Sequence, residues 1–283
     1  MKVQILGTAA AEGFPALFCN CDACKRAFEK GGRNLRTRSG VIVDDHCMID
    51  YSCDTLMHMY QNHLDLAKID TLLLSHSHED HFYVDDFFCR TLGYTGTYDQ
   101  MAHLTVAGNE ACEKKLSSVD NYVQKGKMNF ETLHAGDVKL YNSIKVTACL
   151  PEDRKICFEV ADNDTERGFD IILEKDGKTF FYGHDSGYYL EETWEMLKGR
   201  HLDLALLECT CGVREAGMTG GHQGFPDNIK VRERMLRENI ADGSTIFCLS
   251  HFSHNGGMDY DDAVAAAVPK GFIVAYDGIV LEI

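Results

Sequence analysis

The chain has 283 residues, of which 45% are hydrophobic, and its formal net charge is −16. This length and apolar content allow a substantial core, and we expect a single domain over residues 1–283. The sequence contains no apolar run near the roughly 20 residues of a membrane span, and its first residues lack the features of a signal peptide. The acidic charge argues against a nucleic-acid polymer as partner. We therefore expect a cytoplasmic protein that makes no membrane contact.

Strand and helix patterns alternate along the chain, without repeats or a linker. The hairpin signal is strongest at Asp176-Gly177, a turn dipeptide between two alternating runs. This order favours sheets covered by helices. Strands are predicted at 2–6, 40–44, 46–50, 70–75, 103–107, 140–149, 156–160, 168–174, 178–183, 203–208, 245–250 and 272–283. Helices are predicted at 54–65, 83–93, 109–125, 188–199, 226–241 and 259–268.

A cluster of histidines and acids follows the strand predicted at 70–75, in the stretch His76-Ser-His78-Glu-Asp80-His81. Imidazole and carboxylate groups at this spacing, in a loop that leaves a buried strand, can converge on one cation or on two. A surface cluster seldom follows a fully apolar run, so the context favours a metal site.

This loop resembles the signature loop of the metallo-β-lactamase superfamily, in which the histidines and the aspartate bind two metals. The resemblance covers essentially the whole chain and implies an α/β (α+β) fold, the four-layer αββα sandwich. It also implies a bridging carboxylate after the strand at 178–183 and a last histidine after the strand at 245–250. For that carboxylate, Asp185, the alternative role is to cap the helix predicted at 188–199. The implied ligands of the two divalent ions, which would be Mn, Zn or Fe, are His76, His78, Asp80, His81, Asp185 and His251.

The chain departs from the superfamily pattern after the strand at 140–149. A histidine ligand is usual there, but this sequence continues with Pro151-Glu152-Asp153. Asp153 is the closest match by position, and Glu152 is a second choice. A carboxylate in this place would favour Mn²⁺ or Fe²⁺ over Zn²⁺. The alternative is a first metal site that is weakly held or empty.

Twelve cysteines in a chain without an export signal favour metal binding over a disulfide framework. Cys19, Cys21 and Cys24 form a C-x-C-x-x-C turn, which can supply three corners of a zinc tetrahedron. The element resembles the superfamily branch of the phosphoribosyl cyclic phosphodiesterase of phosphonate breakdown. In that branch the fourth ligand is a histidine three residues after the last active-centre histidine. The resemblance therefore implies a structural zinc completed by His254.

The same resemblance implies a catalytic or phosphate-binding role for His222, in the glycine-rich loop at 217–225. The glycines permit the close backbone approach that a substrate needs, although a loop histidine can also be plain surface. Arg36 and Arg38 are further candidates for anion contact, with surface ion pairs as the alternative.

Together these features predict a metal-dependent hydrolase that acts on a small cyclic or simple phosphodiester. Two metals would activate water and neutralise phosphoryl charge, and His222 and Asp80 would be the catalytic residues. Because this fold hosts many activities, three alternatives stay open: an RNA 3′-end processing nuclease, a lactam or thioester hydrolase, and a non-catalytic metal-binding or cofactor-assembly protein. A homodimer is one assembly that we keep open.

Overall fold

The computed structural model describes residues 1–150, 168–217 and 221–283. Its strands form two seven-stranded sheets. In the first sheet the spatial order is β14 (Ile279–Glu282), β1 (Lys2–Gly7), β2 (Gly40–Val43), β3 (Cys47–Ile49), β4 (Thr71–Leu73), β5 (Leu104–Gly108) and β6 (Met128–Thr132). In the second it is β13 (Ile273–Val274), β12 (Ile246–Ser250), β11 (Leu204–Glu208), β10 (Lys178–Gly183), β9 (Asp170–Lys175), β8 (Ile144–Cys149) and β7 (Val138–Tyr141).

The α-helices cover the outer faces of the two sheets. The last of them begins with a capping box, in which the Asp259 side chain accepts from the backbone and Asp262 reaches back. None of the helices in the described ranges has both the length and the apolar character that crossing a membrane requires. The helices are α1 (Asp22–Lys30), α2 (Thr55–Asn62), α3 (Glu110–Ser117), α4 (Asp120–Lys125), α5 (Glu191–Leu197), α6 (Phe225–Arg237) and α7 (Tyr260–Ala267).

Neighbouring residues of a strand face different layers of the molecule. In β10, Phe180 and Tyr182 lie between the sheets, whereas Phe181 packs with residues of α5, α6 and α7. In β4, Leu73 belongs to the core between the sheets and Leu72 to the core beneath α3. Both faces of the central strands are therefore buried, which explains why their sequences are continuously apolar. The architecture is the αββα sandwich expected from the sequence.

Parallel strands determine where the functional residues meet. The strands from β3 to β6 run parallel to one another, as do those from β10 to β13. The carboxyl ends of parallel strands open on the same edge of a sheet. Loops that leave these ends can therefore bring distant parts of the chain into one site.

Some predicted elements differ from those observed. The strand predicted at 140–149 is part of a hairpin, because Asn142 and Ser143 adopt positive φ angles of 43° and 70° and turn the chain. The helix predicted at 109–125 is two helices, and 83–93 contains a 3₁₀ helix over Asp85–Arg90. Strand β6 and helix α1 were not predicted. The strand predicted at 156–160 lies outside the described residues.

Candidate active site

Four strand ends supply the residues of the site. The His76–His81 loop follows β4, and Asp50, Asp185 and His251 follow β3, β10 and β12. These last three residues adopt left-handed conformations, with φ angles of 61°, 51° and 55°. Such backbone is uncommon outside glycine and is found at functional sites. The chain thus turns sharply at each strand end and places the side chain over the edge of the sheet.

The first group of potential metal ligands contains His76, His78 and Asp185. The Nε2 atom of His76 lies 3.0 Å from Nδ1 of His78 and 3.1 Å from Oδ2 of Asp185. One ligand atom from each residue lies within 4.8 Å of the others. Two imidazoles and a carboxylate at this separation can hold one divalent ion.

The second group contains Asp80, His81 and His251, all three of them buried. The Nε2 atom of His81 lies 3.3 Å from Oδ2 of Asp80 and 3.7 Å from Oδ2 of Asp185. Asp185 therefore lies between the two groups. Its carboxylate is placed where a ligand shared by two ions would be.

Buried partners orient the histidines of the second group. Asp50 is fully buried, and its Oδ2 lies 2.7 Å from Nδ1 of His81 and accepts a hydrogen bond of 2.7 Å from the Tyr182 hydroxyl. Thr210 Oγ1 lies 2.8 Å from Nδ1 of His251. The remaining nitrogen of His251, Nε2, is buried and has no hydrogen-bond partner, and that of His81 is buried facing the Asp80 and Asp185 carboxylates without a well-formed hydrogen bond. An ion would satisfy both atoms, and outer partners of this kind are typical of metal-binding histidines.

Most of the pKa shifts agree with metal binding at these groups, and that of His81 opposes it. Burial would lower the pKa of His81, but Asp80 and Asp50 raise it well above its usual value, so an ion would have to displace a proton there. Burial opposes ionisation of Asp185, but His222 and His76 outweigh it and hold the pKa of Asp185 well below its usual range. Burial likewise opposes ionisation of Asp80, and His81 keeps the pKa of Asp80 low. Burial lowers the pKa of His251. Ionised carboxylates and a neutral imidazole are the forms that bind metals.

His222 lies at the rim of these groups. Its Nδ1 is 3.0 Å from Oδ1 of Asp185 and 3.4 Å from Oε1 of Glu208, and its side chain is 41% exposed. Glu208, at the end of β11, is fully buried and accepts a 2.8 Å hydrogen bond from the Thr210 backbone. Burial alone would lower the pKa of His222, but the Glu208 and Asp185 carboxylates raise it to about 12. The His222 ring can therefore carry a proton beside the two groups of potential metal ligands.

Helix α3 holds the histidine loop from outside. Lys115 donates a 2.6 Å hydrogen bond to the carbonyl oxygen of Ser77 and forms an ion pair of 2.9 Å with Glu79. Within the loop, the backbone N–H groups of His81 and Phe82 both donate to the carbonyl oxygen of His78. These contacts fix the turn on which the first group of ligands depends.

A separate cluster lies at the start of α1. Cys19 Sγ and Cys21 Sγ are each 3.4 Å from Nδ1 of His254, and Cys24 completes a group whose ligand atoms lie within 4.8 Å of one another. A hydrogen bond from the Cys24 backbone and the contact with His254 lower the pKa of Cys21 to about 6. All cysteines of the described residues are free. Three thiols and one imidazole suit a tetrahedral zinc.

Most residues singled out from the sequence thus come together in two places. Asp153, proposed in place of the histidine ligand that is usual after the strand at 140–149, lies outside the described residues. Arg36 is buried and donates to Thr8 Oγ1 and to a backbone carbonyl, and Arg38 pairs with Asp54. Both arginines are held by the protein itself. His184, next to Asp185 in the chain, lies with its ring centroid 4.3 Å from that of Tyr182.

The residues that orient the ligands are not among those predicted from the sequence. Asp50 and Glu208 each stand at the end of an apolar strand, as do Asp185 and His251, which the superfamily resemblance implied. Thr210 lies between Cys209 and Cys211, and nothing in this short stretch indicates its contact with His251. Tyr182 is an interior strand residue, and nothing in its local sequence distinguishes it from core.

The two packed sheets and the strand-end ligand groups are those of a metallo-β-lactamase-type sandwich. The family model described as "Beta-lactamase superfamily domain" matches residues 47–268. The chain belongs to this family. No protein of curated function matches the sequence.

Solved structures with similar folds extend over the whole chain. Zn²⁺-bound PqqB from Methylobacterium extorquens is 19% identical, with a TM-score of 0.75 and coverage of 100% of both chains. A diphosphatase from the PhnP family is 19% identical, with a TM-score of 0.71 and coverage of 100% of this chain and 98% of that one. The short form of human tRNase Z is 15% identical, with a TM-score of 0.63 and coverage of 100% and 99%. At these identities the likeness concerns the fold.

Proposed function

We propose that this protein is a metal-dependent phosphodiesterase with a dinuclear active centre. One ion would be held by His76, His78 and Asp185, and the other by Asp80, His81 and His251, with Asp185 shared. This assignment is supported by the buried Nε2 atom of His251, which has no hydrogen-bond partner, and by the buried Nε2 atom of His81, which faces the carboxylates of Asp80 and Asp185. Asp153 remains the predicted further ligand of the first ion.

A structural zinc ion is the second part of the proposal. Cys19, Cys21, Cys24 and His254 would hold it, apart from the reaction. The site would join the connection between β1 and β2 to the end of β12. A metal bound there would contribute to folding, because its binding energy exists only in the folded chain.

The substrate would be a small cyclic or simple phosphodiester. Two divalent ions, when bound, would lower the pKa of water to supply a nucleophile near neutral pH and would neutralise charge on the phosphoryl oxygens. His222 would protonate the departing alkoxide. Its Nδ1 faces Glu208 and Asp185, so Nε2, on the other side of the ring, would be the donor. Asp80 would position the second ion and the attacking water.

The placement of His222 is the main observation in support of the proposal. Cleavage of an unactivated ester bond requires a proton donor for the leaving group. The protonated imidazole of His222, which is oriented by the buried carboxylate of Glu208 and lies 3.0 Å from Asp185, would be that donor. The similarity to a diphosphatase from the PhnP family supports phosphate chemistry. The similarity to tRNase Z would support RNA processing, but the net charge of −16 disfavours an RNA polymer.

A non-catalytic metal-binding role is the second candidate. The sequence Pro151-Glu152-Asp153, without the usual histidine, favours it because the first ion could then be weakly held. A chain with this role would keep the structural zinc and the fold but would turn over no ester.

Metal quantitation combined with a paired assay tests the proposal. We expect two active-centre ions in addition to one zinc, and hydrolysis of bis(p-nitrophenyl) phosphate with Mn²⁺ or a similar ion. Turnover of p-nitrophenyl phosphate should be much lower, because a monoester dianion competes as a metal ligand. The proposal fails if no divalent ion supports diester turnover. Binding and cleavage of tRNA instead would select the nuclease.

A further inference from the structure

Glu12 lies against the zinc-type cluster on the side opposite the cysteines. The Nδ1 atom of His254 faces Cys19 and Cys21, at 3.4 Å from each sulfur. The other ring nitrogen, Nε2, lies 3.6 Å from Oε1 of Glu12. The side chains of His254 and Glu12 are only 16% and 29% exposed. One imidazole thus has its two nitrogens directed at a sulfur cluster and at a carboxylate.

Other contacts hold Glu12 in this place. The Ser253 hydroxyl donates to the same Oε1 atom, and Ser253 is buried. That hydroxyl in turn accepts a 3.1 Å hydrogen bond from the Asn255 backbone. The backbone carbonyl of Glu12 accepts a 3.0 Å hydrogen bond from the Leu17 N–H, two residues before Cys19. Glu12 therefore connects the cysteine loop with the turn that carries His254.

We propose that Glu12 is a positioning residue for the zinc ligand His254. By accepting the Nε2 proton it would fix the tautomer in which Nδ1 is free to bind the ion. A carboxylate on the outer nitrogen of a metal-bound histidine also strengthens the imidazole as a ligand. This inference rests on the structural zinc of the proposed function and adds a residue to it.

The alternative is an ion pair without influence on the metal, since partly exposed pairs contribute little. Cobalt distinguishes the two cases. Co²⁺ bound to thiolates absorbs in the near ultraviolet, whereas the histidines and carboxylates of the active centre contain no sulfur. Titration of the full chain with Co²⁺, followed by Zn²⁺ competition, therefore reports on the cysteine cluster alone.

Three variants make the test. Glu12→Ala should weaken metal binding at the cysteine cluster by roughly 10- to 100-fold and alter the cobalt spectrum. Glu12→Gln should lose less, because its amide oxygen still accepts a proton from Nε2. Glu29→Gln, at an exposed position on α1, removes the same charge nearby and should leave affinity and spectrum unchanged.

Wild-type affinity and spectrum in Glu12→Ala would overturn the proposal. If that variant does not fold, Glu12→Gln decides: an affinity reduced by a factor of about 3 or more supports the role, and an unchanged one refutes it. If the wild-type chain shows no thiolate–cobalt absorption, the structural zinc itself is wrong and Glu12 loses its role with it. That result is distinct from a zinc site that forms but ignores Glu12.

Discussion

The two candidate metal sites share the end of β12 but are built from different materials. The active centre collects imidazoles and carboxylates from the ends of β4, β10 and β12, and buried partners such as Asp50 orient its histidines. The cysteine cluster takes three thiols from one short loop and a single histidine from elsewhere. Hard and borderline ligands suit Mn²⁺, Fe²⁺ or Zn²⁺, whereas thiolates select zinc.

The two sites differ in how many parts of the fold must come together to form them. Ligands of the active centre come from both sheets, so the centre exists only when the sheets are packed together. The cysteine cluster also joins the two sheets, from the loop after β1 to the turn at His254, but through a single ligand that is distant in the chain. Metals in the first site should therefore govern activity, and the metal in the second should govern stability.

The largest effect is expected from Asp185→Asn, which removes the charge of the shared ligand. Diester hydrolysis should fall by roughly 10³-fold or more, and the active centre should lose metal. The structural zinc should remain at one per chain, which elemental analysis can check. Asp176→Asn, in the exposed hairpin turn of β9 and β10, is the matched control. Zinc loss from both sites in Asp185→Asn would mean that the sites are not independent.

His222→Ala should lower kcat by roughly 10²-fold on diesters with poor leaving groups, because the proton donor is lost. Metal content should not change. With a p-nitrophenolate leaving group the loss should be smaller, since that group needs no proton. Equal losses on both kinds of substrate would instead make His222 a phosphate-binding residue.

Asp50→Asn should act on the metal rather than on the chemistry directly. The amide cannot accept from His81, Tyr182 and Ser75 as the carboxylate does, so the affinity for the ion at Asp80 and His81 should fall roughly 10- to 100-fold. Calorimetric titration with Mn²⁺ measures this. Excess metal should restore most of the activity, whereas the exposed variant Asp45→Asn should bind Mn²⁺ normally. A Mn²⁺ affinity equal to that of the wild type would show that Asp50 does not strengthen metal binding.

The smallest effect on activity is expected from Cys21→Ser. This variant should lose about one zinc per chain and melt roughly 5 °C or more below the wild type, because the binding energy of the ion supports folding. With saturating active-centre metal, diester turnover at moderate temperature should stay close to wild type. Cys89→Ser, at an exposed position outside the cluster, is the control. An unchanged zinc content would refute the ligand assignment.

Local sequence revealed the ligands that are close together in the chain or that end an apolar strand. His76 to His81 and Cys19 to Cys24 are such cases, and the superfamily resemblance added Asp185, His251 and His254. Alternating strand and helix patterns predicted sheets covered by helices, and the superfamily resemblance implied the four αββα layers. Strand lengths were less accurate, because a turn such as Asn142-Ser143 uses left-handed backbone that residue type alone does not specify.

The residues that orient the ligands could not be predicted from the sequence, for a different reason. Tyr182 donates to Asp50, which is 132 residues away in the chain. Glu12, in the loop that follows β1, contacts His254, which follows β12. Such contacts depend on the packing of the two sheets and leave no periodic signal. Predicting them requires the relative position of the sheets, which no short stretch of sequence encodes.

The left-handed backbone at Asp50, Asp185 and His251 has an evolutionary consequence. Each non-glycine residue held there costs the fold about 1 kcal/mol that glycine would not. Selection for the metals opposes that cost in a working protein. In a descendant that no longer needed the metals, glycine in place of Asp185 and His251 would release that backbone cost, whereas the Tyr182 and Ser75 hydroxyls that donate to the buried Asp50 would still retain it. Glycine at the ends of β10 and β12, with the aspartate at the end of β3 retained, would then indicate a protein that has lost its metal-dependent activity and kept its fold.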